Sequence, residues 1–134
     1  MRLSALCLAA AAAAALLASA ANAHHSFAMF DQQKVVTLSG TVTEFEWTNP
    51  HGWLHFAVTA ADGQSQDWSI ELASIAQQMR VGWTATSVKP GDKVTVEFNP
   101  LKDGSRGGTV RQVTTADGRK LGAGGMTNNP LGRD

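Results

Sequence analysis

Four histidines are the side chains best placed for chemistry, and they fall in two pairs: His24 with His25, and His51 with His55 on either side of Trp53. A chain cut just before His24 would present its α-amine and a ring nitrogen together, a bidentate chelate suited to Cu(II). A cut two residues earlier would put a histidine third from the amine, a square-planar nitrogen site for Cu(II) or Ni(II). Met29 adds a soft donor. His51 joins this copper site if the N-terminus folds back over the first turn. The plainer alternatives are a solvated N-terminal pair and a His51 satisfied by backbone in its turn.

His51, Trp53 and His55 share one parity. On a regular strand, side chains two apart on one face lie roughly 7 Å from each other. His51 and His55 would then stand about 14 Å apart on the same reckoning, too far to chelate one ion unaided. The same surface offers an alternative chemistry. Trp53, His55 and Glu71, with Asp67 and Ser69 beside them and Lys102 and Arg106 overhead, could stack and hydrogen-bond a sugar or a planar ligand. Against it stands a Trp53 that merely packs beneath the N-terminal segment or the tail.

Catalysis finds little support. Glu44 sits at a break in strand parity, so its direction is open, and Glu46 and Glu71 read as outward, solvated carboxylates. No Gly-x-Ser-x-Gly context surrounds Ser26, Ser69 or Ser74. No phosphate-binding glycine loop is present, because Gly104, Gly107 and Gly108 lack the Lys-Ser/Thr ending. The reading is therefore a binding module, not an enzyme.

These groups need a scaffold and a compartment. Residues 1–23 read as a signal peptide: a short basic start, an apolar run from Leu3 to Ala18, and a small-residue site ending at Ala23. That run is short for a spanning helix, so no membrane anchor is expected once it is removed, and the expected location is the periplasm. The single cysteine, Cys7, lies in the leader, which leaves neither a disulfide nor a thiolate ligand. The chain carries 11 bases and 11 acids, and loss of Arg2 with the leader leaves a net charge of −1. A nucleic-acid or anionic-membrane partner would call for a basic excess, so neither is expected. A protein partner stays open, through an exposed strand edge and a flexible tail.

Residues 24–34 form a lead-in segment that Phe27, Met29 and Phe30 can pin to the body. From Val35 to Trp47, Val36, Leu38, Gly40 and Val42 share one parity, and Phe45 and Trp47 take the other. A one-residue slip of this kind is the mark of a β-bulge in a curved strand. Thr48 to Gly52 is a turn around Pro50. A second strand follows from Trp53 to Thr59, an Asp62-Gly63 hairpin, and a third strand from Gln66 to Leu72 with Trp68, Ile70 and Leu72 inward. Ala73–Val81 is the helical stretch, with Gly82 able to end it and Trp83–Val88 adding a further turn of helix. Lys89-Pro90-Gly91-Asp92 is a tight turn. Val94, Val96 and Phe98 mark the fourth strand and Thr109–Thr115 the fifth, with an extension at Arg119–Leu121. Residues 122–134, rich in Gly and Asn, read as a disordered tail.

The order β-β-β-α-β-β over residues 35–121 predicts an all-β domain with one short helix, a five-stranded Greek-key barrel of the oligonucleotide/oligosaccharide-binding (OB) type. The runner-up is an open β-sandwich with one helix. The set His24-His25-Ser26-Phe27, Phe30-Asp31, Leu38-Ser39-Gly40-Thr41-Val42, Trp47-Thr48-Asn49-Pro50-His51, Gly82-Trp83 and Lys89-Pro90-Gly91-Asp92 resembles a bacterial family of small exported proteins known as a domain of unknown function. The resemblance runs from His24 to Leu121. It implies export and a compact β domain, and it brings no catalytic residues with it.

Overall fold

In a computed structural model, which describes residues 27–124, one long strand organises the chain. β1 (Val36–Glu46) pairs antiparallel with β4 (Lys93–Pro100) through its first half and with β2 (Trp53–Thr59) through its second. The change of partner works because the register shifts between Val42 and Glu44, at the bulge the parity slip predicts. There the strand bends and twists more strongly. Gly40 permits a tight approach just before it: a Cβ there would run into the Ala57 carbonyl and lie 2.8 Å from the Phe56 ring.

β3 (Ser65–Glu71) pairs with β2, and β5 (Gly107–Thr115) pairs with β4. β5 then returns to β3 in parallel, Ser69 to Glu71 against Gly107 to Thr109. The circuit β3-β2-β1-β4-β5 is thereby a closed five-stranded mixed barrel, the predicted OB arrangement rather than the open sandwich. Closure removes the exposed edges that an open sheet would leave along β3 and β5.

The interior follows the alternation. Val42, Leu54, Phe56, Ile70, Leu72, Val94, Val96, Phe98, Val110 and Val113 are buried. Trp68 points inward as expected and lies 5.5 Å from Phe98, ring to ring, though it is only partly buried. Trp83 belongs to the core: it is buried, stacks on Phe45 at 5.6 Å and donates its indole N–H to the Gly122 carbonyl.

α1 (Ile75–Arg80) is shorter than the Ala73–Val81 expectation. Ser74 begins it through a reciprocal capping box with Gln77, which leaves Ala73 outside, and Gly82 ends it at φ +92°. Trp83–Val88 is not helical. Ser87 Oγ accepts from the Thr84 N–H at 2.8 Å and closes a turn there instead. The extension after Asp117-Gly118 is a sixth strand, β6 (Lys120–Gly122), paired with β5. The ordered body therefore runs past Leu121, since Gly122 is in β6 and Ala123 is buried. At the other end Phe30 bridges Leu101 and is buried, so the lead-in segment joins the barrel before Val35. Residues 1–26, which hold the expected signal peptide, His24 and His25, and residues 125–134 lie outside the described residues. Among the described residues no helix is long and apolar enough to cross a membrane.

Candidate metal site

The bulge in β1 decides which side chains meet. Beyond it, Glu44 faces His55 and Glu46 faces Trp53 across the β1–β2 pairing. On the other side His55 faces Ser69 and Trp53 faces Glu71. Glu44, Glu46, His55, Ser69, Trp53 and Glu71 therefore share the outer face of β1–β2–β3, opposite the inward Leu54, Phe56 and Ile70.

His55 is held from both sides. Its Nε2 lies 2.8 Å from Glu46 Oε1 and its Nδ1 2.8 Å from Ser69 Oγ. A carboxylate only accepts, so in the neutral ring Nε2 carries the proton toward Glu46, and Nδ1 accepts from the Ser69 hydroxyl. Trp53 stacks along the ring at 6.4 Å and 14°. Glu44 completes the group: one ligand atom each from Glu44, Glu46 and His55 lie within 4.8 Å of one another. A cation entering there would replace the Nε2 proton and take two carboxylate oxygens. The Ser69 bond to the second nitrogen fixes the ring's orientation, as outer-shell partners of metal-bound histidines do.

His51 belongs to a second arrangement on the same face. Its turn is fastened to the β3–α1 junction. Gly52 donates to the Ala73 carbonyl and accepts from the Leu72 N–H, Asn49 Oδ1 accepts from the Ile75 N–H, and Thr48 Oγ1 donates to the His51 carbonyl. A Cβ on Gly52 would meet Gln78 Nε2 at 2.7 Å and the Glu46 carbonyl at 2.9 Å, so the turn needs glycine there. His51 Nδ1 reaches Glu71 Oε1 at 3.1 Å and the Leu72 carbonyl at 3.3 Å. Both partners are acceptors, so Nδ1 carries the hydrogen and Nε2 keeps its lone pair.

The expectation that Glu71 is solvated needs correction. It points outward but is only 9% exposed. Burial pushes its carboxyl above the usual range, and the nearby His51 partly offsets this. The cause is the parallel closure of β3 on β5, which no local pattern announces. The face reading for Trp53 and His55 holds, yet Trp53 spends one side of its indole on His55 rather than leaving a free platform. Arg106 is exposed beside β3: its carbonyl accepts from the Ser69 N–H, and its side chain makes no ion pair among the described residues. Met29 is 51% exposed, and its carbonyl accepts from the Lys102 N–H. His51 Nδ1 has Glu71 Oε1 and the Leu72 carbonyl as its partners. The His24 and His25 part of the expected copper site lies outside the described residues.

Sequence reasoning missed Glu44 and Glu46 as partners of His55. The signal was available: carrying the parity slip through to Glu44 and folding β1 back on β2 about the Thr48–Gly52 turn sets both carboxylates on the His55 side. A groove of about 390 Å³ lies elsewhere, on the far end of the barrel, lined in part by Ser39, Thr41, Thr59, Lys93, Thr95 and Thr114. It contains neither an aromatic side chain nor a histidine.

A family model described as "Family of unknown function (DUF6152)" matches residues 11–112, in agreement with the resemblance read from the motifs. No curated protein matches the chain. Among solved structures, a mitochondrial single-stranded DNA binding protein of S. cerevisiae, Rim1, aligns with 18% identity over 61% of this chain and 92% of that one, at a TM-score of 0.42. A likeness at that level bears on neither the fold nor the ligand of this chain, and the expectation of no nucleic-acid partner rests on net charge alone.

Proposed function

The chain belongs to the family of unknown function DUF6152, and we propose that it is an exported, periplasmic module that binds a divalent transition-metal ion at Glu44, Glu46 and His55. The observation that carries this reading is the convergence of their three ligand atoms within 4.8 Å, with the second nitrogen of His55 already tied to Ser69. One imidazole and two carboxylates suit Zn(II) or Cu(II), and the lack of a sulfur donor in the group disfavours Cu(I). Cu(II) should bind most tightly of the divalent ions, by the general order of affinities. The short basic start, apolar run and small-residue site of residues 1–23 support the exported compartment.

Calorimetric titration of the protein with Zn(II) and with Cu(II) tests the reading. Uptake at this site should fall in His55→Ala by more than the roughly 10–100-fold that outer-shell changes cost. Equal uptake by wild type and His55→Ala would end it. Parallel titration of His24→Ala/His25→Ala separates any contribution of the N-terminal pair.

A further inference from the structure

The three ligands leave a tetrahedral ion one donor short, since Zn(II) in closed protein sites takes four. One unused imidazole nitrogen remains on the same face. His51 Nε2 has no hydrogen-bond partner among the described residues, and the side chain is 38% exposed. It is not within the ligand group of its own chain. Its other nitrogen is nonetheless held by a carboxylate that is almost fully buried. Burying a carboxylate is costly unless its partner returns the loss. Carboxylate-to-Nδ1 contact of this kind sets an imidazole to ligate through Nε2.

The spacing says where that nitrogen can be used. His51 and His55 flank Trp53 at two residues on either side. Consider a two-fold axis lying in the plane of a face-to-face contact, across β2 and over Trp53. It turns His51 of one copy onto His55 of the other, and the reverse. Isologous contacts of this form are the commonest in homodimers. We propose that this face binds a second copy of the chain through two metal ions, each held by Glu44, Glu46 and His55 of one copy and by His51 Nε2 of the other, with the two Trp53 side chains at the centre.

This inference rests on the metal reading and extends it. Without metal, the face brings Glu44 and Glu46 of both copies together, and like charges oppose contact. Three short strands about 4.8 Å apart also offer less than the roughly 800 Å² per partner of a standard interface. The ions, not buried area, hold the pair, so association follows the metal. Glu71 is a positioning residue, acting through His51.

Sedimentation velocity with ZnCl₂ and then EDTA tests it, with circular dichroism checking that each variant is folded. Wild type should be monomeric without metal, dimeric with one Zn(II) per chain, and monomeric again in EDTA. His51→Ala should stay monomeric and still take Zn(II), at least about tenfold more weakly. His55→Ala should stay monomeric and lose the ion. Mixing the two variants should restore a dimer holding one ion, because one complete site forms between them. Glu71→Gln should shift half-dimerisation to higher Zn(II), roughly 10–100-fold in affinity. A wild type that binds Zn(II) at His55 but stays monomeric overturns the dimer and leaves the metal reading standing. A dimer that survives His51→Ala, or depends instead on His24 and His25, also overturns it. Absence of Zn(II) binding overturns both.

Discussion

The two ends of the barrel's outer surface differ in a way that separates shape from chemistry. The β2-β1-β4-β5 end is concave, with a groove floored by Gly40 and lined by hydroxyls. The β1-β2-β3 end, past the bulge, holds His51 and His55 and the carboxylates that pair with them. Two of the groove's hydroxyls bond each other, Ser39 Oγ with Thr95 Oγ1 at 2.8 Å, and its lining holds neither a carboxylate nor an imidazole to ligate an ion. The histidine end presents nitrogens whose second sides are already fixed. Concavity therefore marks where β1 coils, and the convergent donors mark where an ion can be held.

The contrast can be broken from either side. The largest expected effect is at the histidine end: Glu44→Gln/Glu46→Gln should reduce Zn(II) affinity by at least two orders of magnitude, as a loss of ligands must exceed the roughly 10–100-fold outer-shell effect. Titration calorimetry reads it directly. The same pair of changes should leave thermal stability near wild type, since Glu44 is exposed and the Glu46 side chain is 39% exposed.

Glycine substitutions come next and should act on stability at both ends. Gly40→Ala puts a methyl against the Ala57 carbonyl, and Gly52→Ala puts one against the Glu46 carbonyl. Each should cost about 1–3 kcal/mol, the usual range for overpacking, measurable by urea denaturation. Only Gly52→Ala should also weaken the effect of His51, because only it displaces that turn.

Glu71 gives a pH signature. Its carboxyl is raised in the folded state, so the fold holds that proton more tightly than the unfolded chain does. The favourable contribution is full below the ordinary carboxylate value of 4.5 and is lost as pH climbs toward the raised folded value. Glu71→Gln removes this loss. The stability of the variant relative to wild type should therefore rise with pH above about 4.5, the ordinary value. A constant difference from pH 4 to 7 would contradict the burial assigned to it. The smallest effect belongs to the groove: Thr95→Ala should change stability by no more than about 0.5 kcal/mol and leave metal affinity untouched.

Much of the scaffold was legible because it is locally written. The slip from Val42 to Phe45 announced the bulge, Asp62-Gly63 the β2–β3 hairpin, and the alternation of Val94, Val96 and Phe98 an inward strand face. The helix length was not, because the reciprocal bond between Ser74 and Gln77 sets its start at Ile75 and leaves Ala73 outside. The site was half legible. Trp53 and His55 were placed on the right face, but the partners of both histidines depend on contacts that parity alone leaves open. Glu71 is buried because β3 closes on β5 in parallel, a pairing of segments nearly forty residues apart. Glu44 reaches His55 only after the bulge has turned the strand.

The central claim is tested most directly by anomalous diffraction from crystals grown with Zn(II). The account predicts one peak per chain, about 2.0–2.2 Å from His55 Nε2 and from a carboxylate oxygen of each of Glu44 and Glu46. A peak bound elsewhere, or none beside His55 in protein saturated with the ion, would contradict it.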